Sequence, residues 1–348
     1  MTNSSRPSFH RDILRLDAPA VCEQITGQLR GDVWQVLHKR GGVVGLSGGI
    51  DSSVTLGLSV QALGADRVLG VIMPERESSP ESMEFALALA RTFGVQTVVE
   101  DITGALDGFG CYRRRDEAIA RVFPEFDPSY HRAKITLPQN VLDDDVLNVF
   151  SLTIVSPDGT EHSARMPIQE LLQIIAASNF KQRSRMAMLY YHAEARNYAV
   201  IGTCNRHEYG QGFFVKFGDG AADVDPIVHL YKGQVYQLGR HLGVPEQILR
   251  RPPTPDTYSA GSTAQEFFFQ LPYDLMDLLW YGQENGYTPA EVAEALDLTE
   301  EQVARAYRNF QRKKTTTNYL RMQLMGGDES RTGLHSPATA SIAGNPQG

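Results

Sequence analysis

A doubly wound α/β fold, a parallel sheet with helices on both faces, is what the sequence predicts, and two observations predict it. Short apolar runs at residues 42–46, 68–73 and 96–99 alternate with stretches of helical spacing, the rhythm of strands joined by crossover helices. The first run ends in Ser47-Gly48-Gly49-Ile50-Asp51-Ser52-Ser53 and continues into the apolar residues 54–63, which reads as a buried strand, a tight Gly turn and a helix start.

The elements follow in order. Residues 1–16 read as a flexible N-terminus, after which Val21, Ile25, Leu29, Val33, Val36 and Leu37 share one helical face within residues 17–39. The strand at 42–46 and the helix after the Gly turn come next, then a strand at 68–73, a helix at 80–93 and a strand at 96–99. Ligands in such sheets sit at the carboxyl ends of the strands, which puts Met73 and residues 74–79 beside an expected adenine pocket. Glu75, Arg76 and Glu77 in that loop read as solvated charges.

From residue 103 to 167 the rhythm breaks, and this segment reads as an insertion. Arg113-Arg114-Arg115 opens a helix running to Val122, and residues 149–155 and 161–165 flank the hairpin signal Ser156-Pro157-Asp158-Gly159. Asp143-Asp144-Asp145 reads as a solvated acidic run in preference to a metal site. Residues 169–195 form a long helical pattern, and 198–203 a further strand. Thr288-Pro289 starts one helix of a C-terminal pair over 288–319, and Thr299 with Gln302 makes a capping box for the other. The pair has the outline of a helix-turn-helix, but Glu291, Glu294, Asp297, Glu300 and Glu301 suit a phosphate-facing surface poorly, so it reads as a packing arm. Residues 326–348, rich in Gly, Ser, Thr and Pro, read as a disordered tail.

Bulk composition narrows the function. A formal net charge of −8 over 348 residues argues against a mainly nucleic-acid-binding protein, which needs a basic face. Cys22, Cys111 and Cys204 are scattered without metal or redox spacing, which points to a reducing compartment. With no signal peptide or membrane span in evidence, a soluble cytoplasmic protein is expected.

The Gly turn carries the chemistry. Glycines admit a close backbone approach, and Ser52 and Ser53 stand where unpaired helix N–H groups and the positive dipole end face an anion. Ser47 and Ser52 offer hydroxyls, and Asp51 suits Mg²⁺ beside a triphosphate better than it suits phosphate itself. The plainer alternative is an ordinary turn capped by Asp or Ser. A Walker loop and a Gly-x-Gly-x-x-Gly fingerprint are both absent from the turn.

The run resembles the Ser-Gly-Gly-x-Asp-Ser pyrophosphate loop of the ATP pyrophosphatases, which split ATP between the α and β phosphates. That superfamily includes NAD, GMP and asparagine synthetases and tRNA thiolases. A second block narrows it: Gly202-Thr203, Glu208, Gly212-Phe213-Phe214 and residues 216–223, Lys-Phe-Gly-Asp-Gly-Ala-Ala-Asp, are similar to the signature of NAD synthetases. Residues 179–186, from Asn179 through Lys181, Arg183 and Arg185 to Met186, are similar to that family's Asn-x-Lys-x-Arg-x-Arg-Met helix, and Leu230-Tyr231-Lys232 with Pro253-Thr254 match two further segments.

The resemblance covers roughly residues 17–319 of a domain drawn over 17–325, and it implies an adenine nucleotide alpha hydrolase-like fold. It places ATP on Leu46, Ser47, Gly48, Gly49, Asp51, Ser52, Ser53, Met73, Arg183, Thr203, Lys232 and Thr254, with Mg²⁺ on Asp51 and Glu208. It places deamido-NAD on Asn179, Arg183, Lys216, Asp219 and Asp223, near a homodimer interface. Asp51, Lys232 and Thr254 take the catalytic roles. Lys181 and Arg185 read otherwise as exposed helix charges, and Asp219 as a residue of a Gly turn.

The implied reaction is attack of a carboxylate on the α-phosphorus of ATP, giving an acyl-adenylate and pyrophosphate, then displacement of AMP by ammonia. No Cys-His glutaminase arrangement is evident, so ammonia is expected free or passed from a separate amidotransferase. After Thr254 the family's Ser/Thr-Ala-Asp-Leu stretch is replaced by Pro255-Asp256-Thr257-Tyr258-Ser259, and Ala264-Gln265-Glu266 stands where Gly-Gln-x-Asp-Glu is usual. Two alternatives follow: an AMP-forming amide synthetase acting on another carboxylic acid, and a nucleotide- or DNA-binding regulator.

Overall fold

The computed structural model describes residues 6–137, 141–142, 150–252, 260 and 268–322. Thr254, Asp143 to Asp145, the departures after Pro253 and the 326–348 tail lie outside them. Helix α1 (Ala18–Gly31) runs into a π-helical turn, Asp32–Val36, and then strand β1 (Gly42–Gly45). The π turn corrects the expected apolar face. Its wider winding slips the helical register, so Val36 is 69% exposed while Val33 is buried.

Helix α2 (Ile50–Leu63) follows the Gly turn, and a 3₁₀ turn (Ala65–Arg67) leads to β2 (Val68–Ile72). Helix α3 (Pro80–Phe93) and β3 (Gln96–Val99) form over the expected residues. Helices α4 (Thr103–Gly108) and α5 (Cys111–Val122) precede a three-stranded antiparallel sheet of β4 (Arg132–Thr136), β5 (Ser151–Val155) and β6 (Glu161–Arg165). The expected hairpin is β5–β6, and β4, unforeseen, pairs with β5 from Arg132 opposite Val155 to Thr136 opposite Ser151.

The long helix α6 (Ile168–Arg196) leads to β7 (Ala199–Ile201) and the short helix α7 (Arg206–Gln211). Then come α8 (Lys232–Leu242), α9 (Glu246–Leu249), α10 (Tyr273–Glu284), α11 (Pro289–Leu296), α12 (Glu300–Thr316) and α13 (Asn318–Arg321).

The main sheet has the order β3-β2-β1-β7, all parallel, and alternation along each strand assigns its two faces. Val44, Val68, Ile72, Ala199 and Ile201 pack with α1, α2, α3 and α8. Val43, Leu69, Val71 and Val200 pack on the other face with Leu106, Tyr112, Met186 and Leu189. This is the doubly wound arrangement the alternating runs predict. Val292, Leu296, Val303 and Phe310 bury the faces of α11 and α12 against Leu279 and Trp280 of α10, so the helix pair is a packing unit. Thr288 and Pro289 start α11 as expected, and α12 carries the predicted Thr299–Gln302 capping box; a second box, Thr288 with Glu291, caps α11. Phe9, Ile13 and Leu14 lie against the same unit, with Phe9 on Tyr287 and Arg6 bonded to Glu291 at 2.6 Å.

Candidate active site

The order of the main sheet reverses at β1: β2 and β3 build outward on one side of it and β7 lies on the other. Loops leaving β1 and β7 therefore part and open a crevice at the carboxyl ends. Along one cavity of about 760 Å³ stand Leu46, Ser47, Gly49, Asp51, Ser52, Met73, Asn179, Arg183, Thr203, Glu208, Lys216, Asp219 and Lys232. Among the described residues, three expected site residues do not line it. Gly48 and Ser53 are buried behind the loop, and Asp223 is exposed, its carboxylate accepting from the Val200 N–H at 2.8 Å and the Tyr190 O–H at 3.0 Å.

The loop after β1 is shaped by Gly48, whose φ of +74° is left-handed and whose missing Cβ would stand 2.5 Å from the Ser82 carbonyl oxygen. Gly48→Ala is accordingly expected to cost about 1–3 kcal/mol of stability, read by urea unfolding, and an unchanged midpoint would contradict the geometry. Helix α2 begins without a side-chain cap, so its first N–H groups face the cavity. The serines organise this loop. Ser52 and Ser53 Oγ donate to the Gly49 carbonyl at 3.1 and 2.7 Å, and Ser47 Oγ accepts from Gly49 N–H at 3.2 Å.

Behind the loop lies a charge cluster drawn from three elements. The Lys232 ammonium, 1% exposed, donates to Asp51 Oδ2, and Asn205 Nδ2 donates to Asp51 Oδ1 at 3.1 Å. Asn205 also caps α7, while Glu208 returns to the Asn205 N–H at 3.1 Å, a reciprocal capping box that aims the Glu208 carboxyl. Burial, then the neighbouring Asp51 charge, push the Glu208 carboxyl up to about 8. Burial would lower the Lys232 ammonium, but Asp51, Tyr273 and Glu208 outweigh it and hold it charged. Burial also pushes Asp219 up to about 6, although its carboxylate accepts from Val215 N–H at 2.7 Å. The Cys204 thiol, raised by burial and by four nearby carboxylates, is no nucleophile.

Arg251, Tyr273 and Phe268, which the sequence reading does not single out, reach the site. Arg251 lines the cavity and ties the loop to α3, donating to the Gly48 carbonyl at 3.4 Å and to Ser82 Oγ at 2.8 Å. Tyr273 lies under Lys232, its ring centroid 5.3 Å from Nζ, and Phe213 stacks on Phe268 at 4.9 Å along one wall. Lys216 lines the cavity and donates to the carbonyls of Tyr319 and Met322 at 3.1 and 3.0 Å.

Two readings of charge are corrected. Glu75 and Glu77 are not solvated: Lys181 donates to Glu75 Oε1 at 2.9 Å and to Glu77 Oε2 at 2.8 Å, and the Glu75 side chain is 0% exposed. Lys181 is likewise no exposed helix charge, at 1% exposed, and Arg185 is half-buried, reaching the Met73 carbonyl at 3.4 Å. The cause is convergence of α5 and α6 on the loop after β2, which seals these charges from water.

A parallel sheet flanked by helices, with a Gly loop after its first strand facing carboxylates and a buried lysine across the switch point, defines a Rossmann-like α/β protein. A family model for NAD synthase matches residues 21–122 and 141–318, and the chain belongs to that family. It is 49% identical over 320 residues to the NH(3)-dependent NAD(+) synthetase of Rhizobium meliloti, covering 92% of this chain and 95% of that one. To the protein of the same name in Mesorhizobium japonicum it is 47% identical over 308 residues, 88% of this chain and 96% of that one. Among solved structures, the NH3-dependent NAD synthetase of Campylobacter jejuni superposes with a TM-score of 0.57 at 20% identity, over 89% of this chain and 99% of that one. The NMN synthetase of Francisella tularensis does so with a TM-score of 0.56 at 23% identity, over 90% and 99%. At these identities the structures share the fold alone.

Proposed function

We propose that this chain amidates deamido-NAD with ammonia at the expense of ATP, yielding NAD, AMP and pyrophosphate. The observation that carries this reading is a single cavity in which the Ser47–Ser52 loop, Asp51, Glu208 and Lys232 face Asn179, Arg183, Lys216 and Asp219. The first set suits a triphosphate and the second a substrate with its own polar groups. A volume of about 760 Å³ lies in the range of small-molecule sites.

Asp51 and Glu208 fit Mg²⁺. They are hard oxygen donors beside a phosphate loop, and two carboxylates completed by substrate phosphates is this ion's usual habit. When bound, the ion supplies Lewis-acid neutralisation of phosphate charge. Lys232, fixed in a water-poor pocket, stabilises charge developing on the departing pyrophosphate, as do the free N–H groups at the start of α2. Arg251 contributes a further cation at the same loop. Met73 and the wall behind it receive the adenine, while Asn179, Arg183 and Asp219 orient the acid so that its carboxylate approaches the α-phosphorus. A homodimer in the cytoplasm completes the proposal, the first to be checked by light scattering. No described helix is long and apolar enough to cross a membrane.

Incubation with Mg²⁺-ATP, ammonium and deamido-NAD is expected to form AMP, pyrophosphate and NAD in equal amounts. Silence with deamido-NAD beside turnover of another acid would overturn the choice of substrate. A pH prediction accompanies this. Because metal binding needs the carboxylate and Glu208 holds its proton up to about 8, Mg²⁺-ATP affinity should rise with pH to about that point and then level. Calorimetry near neutral pH in buffers of different ionisation enthalpy should show release of a proton, and buffer-independent heats would refute it.

A further inference from the structure

Asp277 and His207 form a buried polar pair that does not line the cavity, with exposures of 4% and 0%. His207 Nε2 lies 2.5 Å from Asp277 Oδ1. The same carboxylate takes the first two N–H groups of α8: Lys232 N–H donates to Oδ1 at 3.2 Å and Gly233 N–H to Oδ2 at 2.6 Å. Glycine at residue 233 leaves room for this bond, since a Cβ there would stand 2.8 Å from Asp277 Oδ2 and displace the carboxylate. On the other side, His207 directly precedes Glu208, and both of their N–H groups are held by the Asn205 side chain that also contacts Asp51. Aromatic edges from Tyr231, Phe269 and Trp280 surround the imidazole.

An apolar pair of equal volume would fill this space with no desolvation penalty. What the polar pair adds is direction: one carboxylate fixes where α8 begins and also holds the ring attached to α7. We infer that Asp277 and His207 are positioning residues for the adenylation step, locking the helix that carries Glu208 to the helix start that carries Lys232. The inference rests on the proposed reading of Lys232 as the cation at the departing pyrophosphate. Tyr273, one turn before Asp277 on α10, holds the Lys232 ammonium from beneath, so a single helix sets both ends of that side chain.

A double-mutant cycle on the full chain tests this, read by deamido-NAD-dependent exchange of labelled pyrophosphate into ATP, with unfolding midpoints recorded alongside. Lys232→Met should slow exchange about 10²- to 10³-fold, and Asp277→Asn about 10- to 100-fold, the latter with KM for deamido-NAD within about twofold. Because Asp277 acts through Lys232, the double variant should be no more than about twofold slower than Lys232→Met alone. His207→Gln, which keeps a donor to the carboxylate, should retain most of the exchange rate, whereas His207→Leu should resemble Asp277→Asn. If Asp277→Asn does not fold, His207→Leu with Lys232→Met carries the same cycle. Multiplicative losses in the double variant would overturn the inference while leaving Lys232 in its role. Unchanged exchange in Lys232→Met would overturn that role, and the inference with it.

Discussion

Replacing Lys232 by Met is expected to lower turnover by about 10²- to 10³-fold, the loss typical of removing one preorganised charge from a transition state. The size follows from where the ammonium is held. It is 1% exposed, bonded to Asp51 and backed by the Tyr273 ring, so its field is little screened and no reorganisation is needed when charge develops. Its loss also leaves Asp51 and Glu208 facing one another without the cation. Glu208, already pushed up by burial and by Asp51, would then hold its proton more tightly and lose it to solvent less readily when a divalent ion binds. Lys232→Arg should recover little, since a planar guanidinium does not fit a pocket shaped for a compact ammonium. Steady-state formation of AMP and pyrophosphate is the measurement. Turnover of Lys232→Met within tenfold of the parent would show that the lysine is structural.

The parts of this site that the sequence reveals are those whose cause is local. Two glycines after an apolar run and before a helical one make the loop legible, and the capping residues Thr288 and Thr299 mark their helices three residues from their partners. Alternating apolar runs likewise expose β2 and β3. Asp277, Arg251 and the Glu75–Lys181 pair carry no such signal, because their partners stand 70, 169 and 106 residues away and only the closed fold brings them together. A charged residue in a loop is usually solvated, and Glu75 and Glu77 depart from that rule only because α5 and α6 cover them. Strand β4 is hidden for a related reason: a five-residue strand beginning on Arg132 gains its regularity from pairing with β5. The slipped register at Val36 arises from a π turn that helical periodicity does not foresee.

Replacing Lys181 by Met is expected to destabilise the protein by about 3–5 kcal/mol, the cost of leaving a buried charge without its cation. Glu75 would keep neutral donors, the Tyr112 O–H at 2.5 Å and the Glu77 N–H at 3.1 Å. For a chain of 348 residues that loss corresponds to a fall of roughly 4–7 °C in Tm, at about 1.4 °C per kcal/mol. Adding Glu75→Gln should restore part of the loss, because removing both charges spares the desolvation that removing one exposes. A pH signature accompanies it. Burial alone would raise the Glu77 carboxyl, but Arg115 and Lys181 together hold it below the usual range, so its contribution is full above the unfolded value of about 4.3 and is lost as pH falls through the folded value. The acid limb of stability should therefore flatten in Lys181→Met. Urea unfolding at neutral and acid pH checks both statements, and a variant within about 1 kcal/mol of the parent would refute them. The network ties the loop of Met73 to α5 and α6, so its failure should loosen the adenine wall before it unfolds the sheet, seen as a rise in KM for ATP at temperatures below the new Tm.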